Sequence, residues 1–454
     1  MRNVEKQPSN RREFLKHTGR AAAASIVAAA AVPHVHAAED NTIRLALVGC
    51  GGRGTGAAAD ALSSSQGPTQ LVALADVFPR RLAASYANLA RVFAKQIDVP
   101  EDRRFIGFDA YRQAIDCLRP GDVVILTTPC AFRSVHFSYA IEKGVNVFME
   151  KPTTVDGPST RKMLALADRS AQKNLKVGVG LMCRHCRARW ELLDRIRDGQ
   201  IGEITLLKTY RLVGPAGFCG PKPPDTSELL YQVQHYLSFM WASGGLVHDY
   251  TSHNIDECCW MKGAWPVRAQ GSGGRCHRGG AVDQNFDHYS VEFTFADGTN
   301  LFMNARNMAG CYDEFASYAH GTKGSAVIST FMHTPAKCRI YKGHQFVDSD
   351  LAWAFPQPEP NPYKLEWDDL LEAIRQDKPF NEAKRGAEAS LVQIMGRMAV
   401  HTGRVVTWDE ALNHEVEFAP GLDKLTMDSP APLPLRPDGT YPQPQPGVIT
   451  KQEY

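Results

Sequence analysis

The sequence predicts an α/β chain. Its first half reads as a doubly wound parallel sheet, and its second half as an α+β domain with a large, mostly antiparallel open sheet. Three observations carry that prediction. Apolar strand patterns alternate with helical ones as far as residue 183; the first strand runs straight into a glycine-rich turn and an Ala-rich helix; and beyond residue 200 the texture becomes alternating and β-rich.

The first strand, 43–48, leads into Gly49-Cys-Gly51-Gly52-Arg53-Gly54 and a helix over 53–63. In a strand-GxGxxG-helix unit the first glycine makes the tight turn and the second lets the backbone approach a pyrophosphate. The third lets helix and strand pack closely, with the phosphates on the helix N-terminus. A second strand, 71–77, contains Asp76 where a ribose 2′-hydroxyl acceptor belongs. A carboxylate there accepts from a free hydroxyl and repels a 2′-phosphate, so NAD is favoured over NADP. Arg80 and Arg81 follow one helical turn later and read as a solvated first turn or, alternatively, as a 2′-phosphate site.

Further strands are expected at 123–128, 145–149 and 176–181, with helices near 80–95, 109–118, 132–143 and 157–173. Thr127-Thr128-Pro129 and Met149-Glu150-Lys151-Pro152 then lie at strand carboxyl ends, where such sheets hold ligands. After a helix at 187–199, strands are read at 203–212, 287–295, 299–307 and 325–329, with a turn at Ala296-Asp297-Gly298. Helices at 364–376 and 381–401 follow and are expected to reach back to the nucleotide domain. The Pro-rich stretch Ser429–Gly447 reads as an arm or linker. The expected domains are therefore 41–183, 184–428 and a tail at 429–454.

The first forty residues carry a separate message. Asn10-Arg11-Arg12-Glu13-Phe14-Leu15-Lys16 precedes an apolar run, 21–32, and the small-residue site Val35-His36-Ala37. This is the pattern of a twin-arginine export signal, so residues 1–38 are set aside from fold reasoning. The run is too short for a stable membrane span. The expectation is a periplasmic or otherwise exported protein that meets the twin-arginine machinery already folded, with its nucleotide aboard.

A net charge of +2 gives no electrostatic reason to expect nucleic acid. Eleven cysteines, an odd and scattered set, do not indicate a disulfide framework. Cys183-Arg-His-Cys186 lacks a second ligand pair at metal spacing, so no metal is expected.

Lys151 at a strand tip can hold a sugar hydroxyl and favour its deprotonated form. Downstream of Gly244-Gly245, the spacing of Asp249, His253 and Asp256 puts them on one helix face. An imidazole with an ordinary pKa near 6.5 can take a hydroxyl proton, and a carboxylate one turn away can orient substrate or raise that pKa. The same face also reads as a solvated stripe.

In order and spacing, the GxGxxG loop, Asp76, Thr128-Pro129…His136, Glu150-Lys151-Pro152 and Asp249-x-x-x-His253 resemble the glucose-fructose oxidoreductase / inositol dehydrogenase / rhizopine catabolism (Gfo/Idh/MocA) family. The C-terminal run 370–408 resembles its exported branch. The resemblance implies a Rossmann domain followed by an open-sheet domain that often builds homodimers or homotetramers. It implies a catalytic trio of Lys151, Asp249 and His253. It also adds Thr128, Pro129, His136, Glu150 and Lys151 to Gly49, Gly51, Gly52, Arg53, Gly54 and Asp76 as cofactor contacts. The implied reaction passes hydride between a ring carbon of a sugar, sugar derivative or cyclitol and NAD, either released as NADH or recycled in place. Export favours recycling. A redox-neutral NAD-dependent glycosidase, or a non-catalytic sugar-binding protein on the same fold, are the alternatives. Arg184, His185 and the loop Gly214–Glu228 leave the substrate pocket unassigned.

Overall fold

Strands β1 (Ile43–Val48), β2 (Thr69–Asp76), β3 (Arg104–Ile106), β4 (Val123–Leu126), β5 (Asn146–Met149) and β6 (Val177–Val179) pair in parallel, in the order β3-β2-β1-β4-β5-β6. The computed structural model describes residues 41–454, so the expected export signal lies outside the described residues. The strands are nearly continuous apolar runs because helices cover both faces. Ile43, Leu45 and Leu47 enter one core and Ala46 and Val48 the other. The covering helices are α1 (Gly52–Leu62), α2 (Pro79–Phe93), α3 (Ala110–Asp116), α4 (Arg133–Lys143) and α5 (Gly157–Gln172). Asp156 starts α5 by accepting from Ser159 N at 2.8 Å. Strand order reverses on either side of β1, and the crevice above that point is where an open α/β sheet takes its ligand.

The chain continues through α6 (Arg187–Arg197), β7 (Ile204–Val213), α7 (Glu228–Gln234), α8 (Met240–Ser243), α9 (Leu246–Tyr250) and α10 (Ser252–Lys262). Strands β8 (Arg268–Gly274), β9 (His288–Thr294), β10 (Asn300–Asn307), β11 (Glu314–Gly321), β12 (Ser325–Thr330), β13 (Arg339–Tyr341) and β14 (Leu351–Ala354) come next. They are followed by α11 (Pro362–Arg375), α12 (Ala383–Thr402), β15 (Val406–Thr407) and α13 (Trp408–Asn413). The second sheet runs β14-β13-β12-β11-β7-β10-β9-β8-β15, antiparallel except where β7 meets β10. Strands β9 and β10 alternate buried with more exposed residues, as expected of a sheet covered on one face.

The periodicity missed β8, whose sequence Arg-Ala-Gln-Gly-Ser-Gly-Gly looks like a loop. Its glycines are steric. A Cβ on Gly271 would stand 2.6 Å from Ser290 O and 2.8 Å from a Val400 methyl, so the bare backbone lets α12 lie against the sheet. Helix α12 is buried on nearly every side, against β8 and β9 below and α5 of the nucleotide half above. Helix α11 puts Trp367 flat on Phe148 of β5, with ring centroids 4.4 Å apart.

The Pro-rich stretch is not a free arm. Leu433 and Tyr441 are buried, Leu433 O accepts from Gln232 Nε2 at 2.7 Å, and the Tyr441 ring meets Phe239 edge-on at 4.8 Å. A segment poor in apolar residues can still be held by a few side chains, and prolines remove the amide donors that packing would otherwise have to satisfy. Among the described residues no helix is long and apolar enough to cross a membrane, and all eleven cysteines are free thiols.

Candidate active site

A cavity of about 900 Å³ opens above the carboxyl ends of β1, β2, β4 and β5 and is closed from the other side by β7, α9, α10 and the segment after β12. At one end is the glycine loop. Gly49 has φ +98°, and a Cβ there would sit 2.7 Å from Thr128 N, while one on Gly54 would sit 2.0 Å from Gly49 O. Side chains at Gly51 and Gly52 would meet no protein atom within 4 Å, so that space belongs to the cavity. The first-turn amides of α1 have no intrahelical acceptor, and a bare, open cradle in front of them fits a pyrophosphate.

Asp76 closes β2 with its carboxylate already engaged. Oδ2 accepts from Cys50 N at 2.6 Å and Oδ1 from Phe78 N at 2.8 Å, so the residue ties the glycine loop to the sheet as well as facing the cavity. Burial pushes its carboxyl up, and the two amides pull it back. Of the two arginines that follow, Arg80 is exposed on α2. Arg81 lines the cavity, stacks on Phe78 at 4.6 Å and donates to Gln234 O at 3.3 Å. NAD is expected to bind more than about tenfold tighter than NADP, a difference of more than ~1.4 kcal/mol. Asp76→Ala should narrow that gap and, by freeing the Cys50 amide, weaken NAD itself; equilibrium titration of both nucleotides checks this, and tighter NADP binding by the parent would transfer the role to Arg81.

Arg53, Thr128, Pro129, His136, Glu150 and Lys151 all line the same cavity. Arg53 arrives with its charge matched: it pairs with Glu150 at 2.7 Å and Asp60 at 3.3 Å and covers the Tyr363 ring at 4.9 Å. Glu150 needs the room left by Gly180, where a Cβ would fall 2.6 Å from its Oε2. The two therefore staple α1 to β5. His136 Nδ1 faces Thr128 Oγ1 at 3.3 Å, and burial, with Arg133 and Arg112 adding, pushes the imidazole down to about 3, so it is neutral. Arg133, which the pattern did not single out, is buried beneath the β4 tip and donates to Leu126 O and, at 2.9 Å, to Thr128 O.

At the other end Lys151, Asp249 and His253 come together. Lys151 Nζ donates to Asp249 O at 2.8 Å and lies 3.9 Å from its Oδ1. His253 is buried with Nδ1 lacking a partner, and its ring meets His333 edge-on at 4.5 Å. Two sequence expectations need correction. Asp249 and His253 are not on one continuous helix: Thr251 separates α9 from α10. Asp256 points inward, where Arg184 grips it with two bonds of 2.8 and 2.7 Å. Nor does Asp249 raise the histidine: burial, then the charge of Lys151, holds the His253 imidazole well below 6.5.

The loops that carry these residues are tied together by α12. Arg397 donates to Gly244 O at 3.1 Å and Val155 O at 2.8 Å, and Glu453 accepts twice from it at 2.8 Å. His248 Nε2 also lies 2.8 Å from Thr154 O. Sequence patterns gave Arg397 and Glu453 no structural role, because a buried ion pair between distant segments leaves no periodic trace. Arg211 was missed as well, although it continues the inward period of Leu207 and Thr209 on β7.

Residues 43–180 match the model of an oxidoreductase family with an NAD-binding Rossmann fold, and residues 190–327 match a GFO/IDH/MocA C-terminal domain. The chain belongs to the Gfo/Idh/MocA oxidoreductases. It is 25% identical over 262 residues to the scyllo-inositol 2-dehydrogenase (NAD(+)) of Bacillus subtilis (strain 168), covering 57% of this chain and 69% of that protein. Its fold is similar to that of the aldose-aldose oxidoreductase from Caulobacter crescentus complexed with glycerol (TM-score 0.62, 17% identity, 81% of this chain and 99% of that one). It is similar also to scyllo-inositol dehydrogenase from Lactobacillus casei with bound NAD(H) and scyllo-inositol (TM-score 0.58, 20% identity, 81% and 99%). Residues 43–180 of this Gfo/Idh/MocA chain are thus an NAD-binding Rossmann domain.

Proposed function

We propose that the chain oxidises, or in reverse reduces, a ring carbon of a sugar, sugar derivative or cyclitol, with Lys151 and His253 acting on one hydroxyl. The observation that carries the reading is the convergence of Lys151, Asp249 and His253 at one end of a cavity whose other end is the open glycine cradle. NAD, which the glycine loop and Asp76 would hold, would supply the hydride acceptor. His253, kept neutral by burial, accepts the hydroxyl proton as the carbon is oxidised. Lys151 donates a hydrogen bond to the same oxygen, its ammonium aimed by Asp249 O. The Asp249 carboxylate orients a neighbouring substrate hydroxyl. In the reverse direction the same groups return the proton.

The test is NADH formation at 340 nm by the purified full chain with NAD and a panel of hexoses, hexuronates, anhydrosugars and inositols. Turnover on at least one member is expected. Cleavage of an aryl glycoside with no net NADH would replace this reading with the glycosidase, and NAD binding without either reaction would leave a sugar-binding protein.

A further inference from the structure

On the inward face of β7, Arg211 projects into the cavity at the end that holds Lys151 and His253. Its guanidinium covers the Phe315 ring at 4.0 Å and lies 5.1 Å from the centre of the Tyr250 ring, so its plane is fixed by stacking. No acceptor within the described residues takes any of its donors, and Nε is buried without a partner. That is costly unless something else supplies the acceptor, because a buried unmade donor forfeits its hydration. The carboxylate that acts on Arg211 through space is Asp249, and the one ion pair Asp249 makes among the described residues is with Lys151. His253 and His333 beside it are pushed toward neutrality by burial. Around the reacting hydroxyl the protein therefore presents two fixed cations, Lys151 and Arg211, against one anion, leaving a single unbalanced positive charge on a planar, preoriented fork.

We propose that the substrate is a sugar acid whose carboxylate docks on Arg211, placing a ring hydroxyl on Lys151 and His253. A planar, singly charged carboxylate matches both the geometry of the fork and the missing charge. A phosphate dianion would exceed that charge, and a neutral sugar would leave the surplus cation uncompensated. The inference rests on the reading of the cavity as a carbohydrate site. It goes beyond that reading by naming the charged group the substrate carries and the residue that selects it.

The experiment compares acid and neutral partners on the NAD-saturated full chain by isothermal titration and by NADH formation. The pairs are D-glucuronate with D-glucose, D-galacturonate with D-galactose and D-mannuronate with D-mannose, with glucose 6-phosphate as the dianionic arm. At least one uronate should bind more than about tenfold tighter than its hexose. Arg211→Gln should weaken that uronate by about 10- to 100-fold while NAD still binds, the range for a lost hydrogen bond to a charged group. NAD affinity reports folding. Should Arg211→Gln fail to bind it, Arg211→Lys, which keeps the charge and loses the fork, is read instead and should recover only part of the affinity. Acid binding that depends on Arg211 without NADH formation would sustain this inference and remove the proposed oxidation. Oxidation of neutral sugars with no preference for any uronate would do the opposite. Tighter binding of glucose 6-phosphate than of every uronate, or uronate affinity unchanged in the variant, overturns the assignment.

Discussion

His253→Ala is expected to lower turnover by roughly 10²–10⁴-fold while NAD affinity stays within about twofold, the signature of a positioned acid/base group rather than a binding contact. Lys151→Ala should fall in the same range, and the double variant should lose less than the product, since both side chains act on one oxygen. The pH profile adds an independent reading. A neutral imidazole is the competent base, and burial with Lys151 nearby holds its pKa well below 6.5, so the acidic limb of kcat/KM should lie below that value. Removing the Lys151 charge takes away the largest of the charge contributions that depress it, ahead of Arg189, Arg211 and Arg53, and should move the limb upward. Asp249→Asn should raise KM, because the carboxylate orients the substrate, and should move the limb less than Lys151→Ala does. A His253→Ala enzyme within a factor of about three of its parent, with chemistry shown to be rate-limiting, would remove the residue from the mechanism.

Glu453→Ala should destabilise the fold by about 3–5 kcal/mol, the cost of leaving a buried charge without its partner. Arg397 is then uncompensated, and His401, whose Nδ1 lies 2.8 Å from Glu453, loses its acceptor. The loss should not stop at stability. Arg397 also holds Val155 and Gly244, so turnover should drop alongside the denaturation midpoint even though Glu453 does not line the cavity. Pairing Arg397→Met with Glu453→Leu should restore much of the stability and little of the activity. In the parent, Arg397 and His401 hold the Glu453 carboxyl at about 2 against its burial. An unfolded glutamate titrates near 4.3. The stabilisation is therefore fully present above that value and disappears as pH falls toward about 2, so Glu453→Gln should flatten acid denaturation in that window. A midpoint change worth under about 1 kcal/mol would mean the pair is not the clamp described.

The parallel sheet was legible because each of its longer strands is a dense apolar run ended by a turn signal, and the glycine loop because close backbone approach admits no other residue. Lys151 was legible as a cation at a strand tip. The limits are equally physical. Residues 246–262 follow a single helical period in sequence, but the backbone breaks at Thr251, and the helix beyond it is buried from Ser252 to Met261, Asp256 included. Strand β8 has no apolar period because it buries glycine under a helix. The Pro-rich stretch has too few apolar residues to predict a core, and is held by Leu433 and Tyr441 one at a time, with Glu453 anchoring the residues after it. Arg397 was not legible because an arginine reads as surface until its acceptors, scattered through the chain, are brought around it.

Vectorial synthesis gives the Arg397–Glu453 pair a further meaning. The two residues are 56 apart in the chain, so at about 5–20 residues per second the arginine is made roughly 3–11 s before its counter-ion. Throughout that interval the glycine loop and Asp76 have already been synthesised. The backbone carbonyls of Val155 and Gly244 meanwhile have, in Arg397, only a cation whose burial is not yet neutralised. The clamp on the loops of the catalytic end is therefore neutralised only by a residue synthesised long after the glycine loop and Asp76 of the cofactor end.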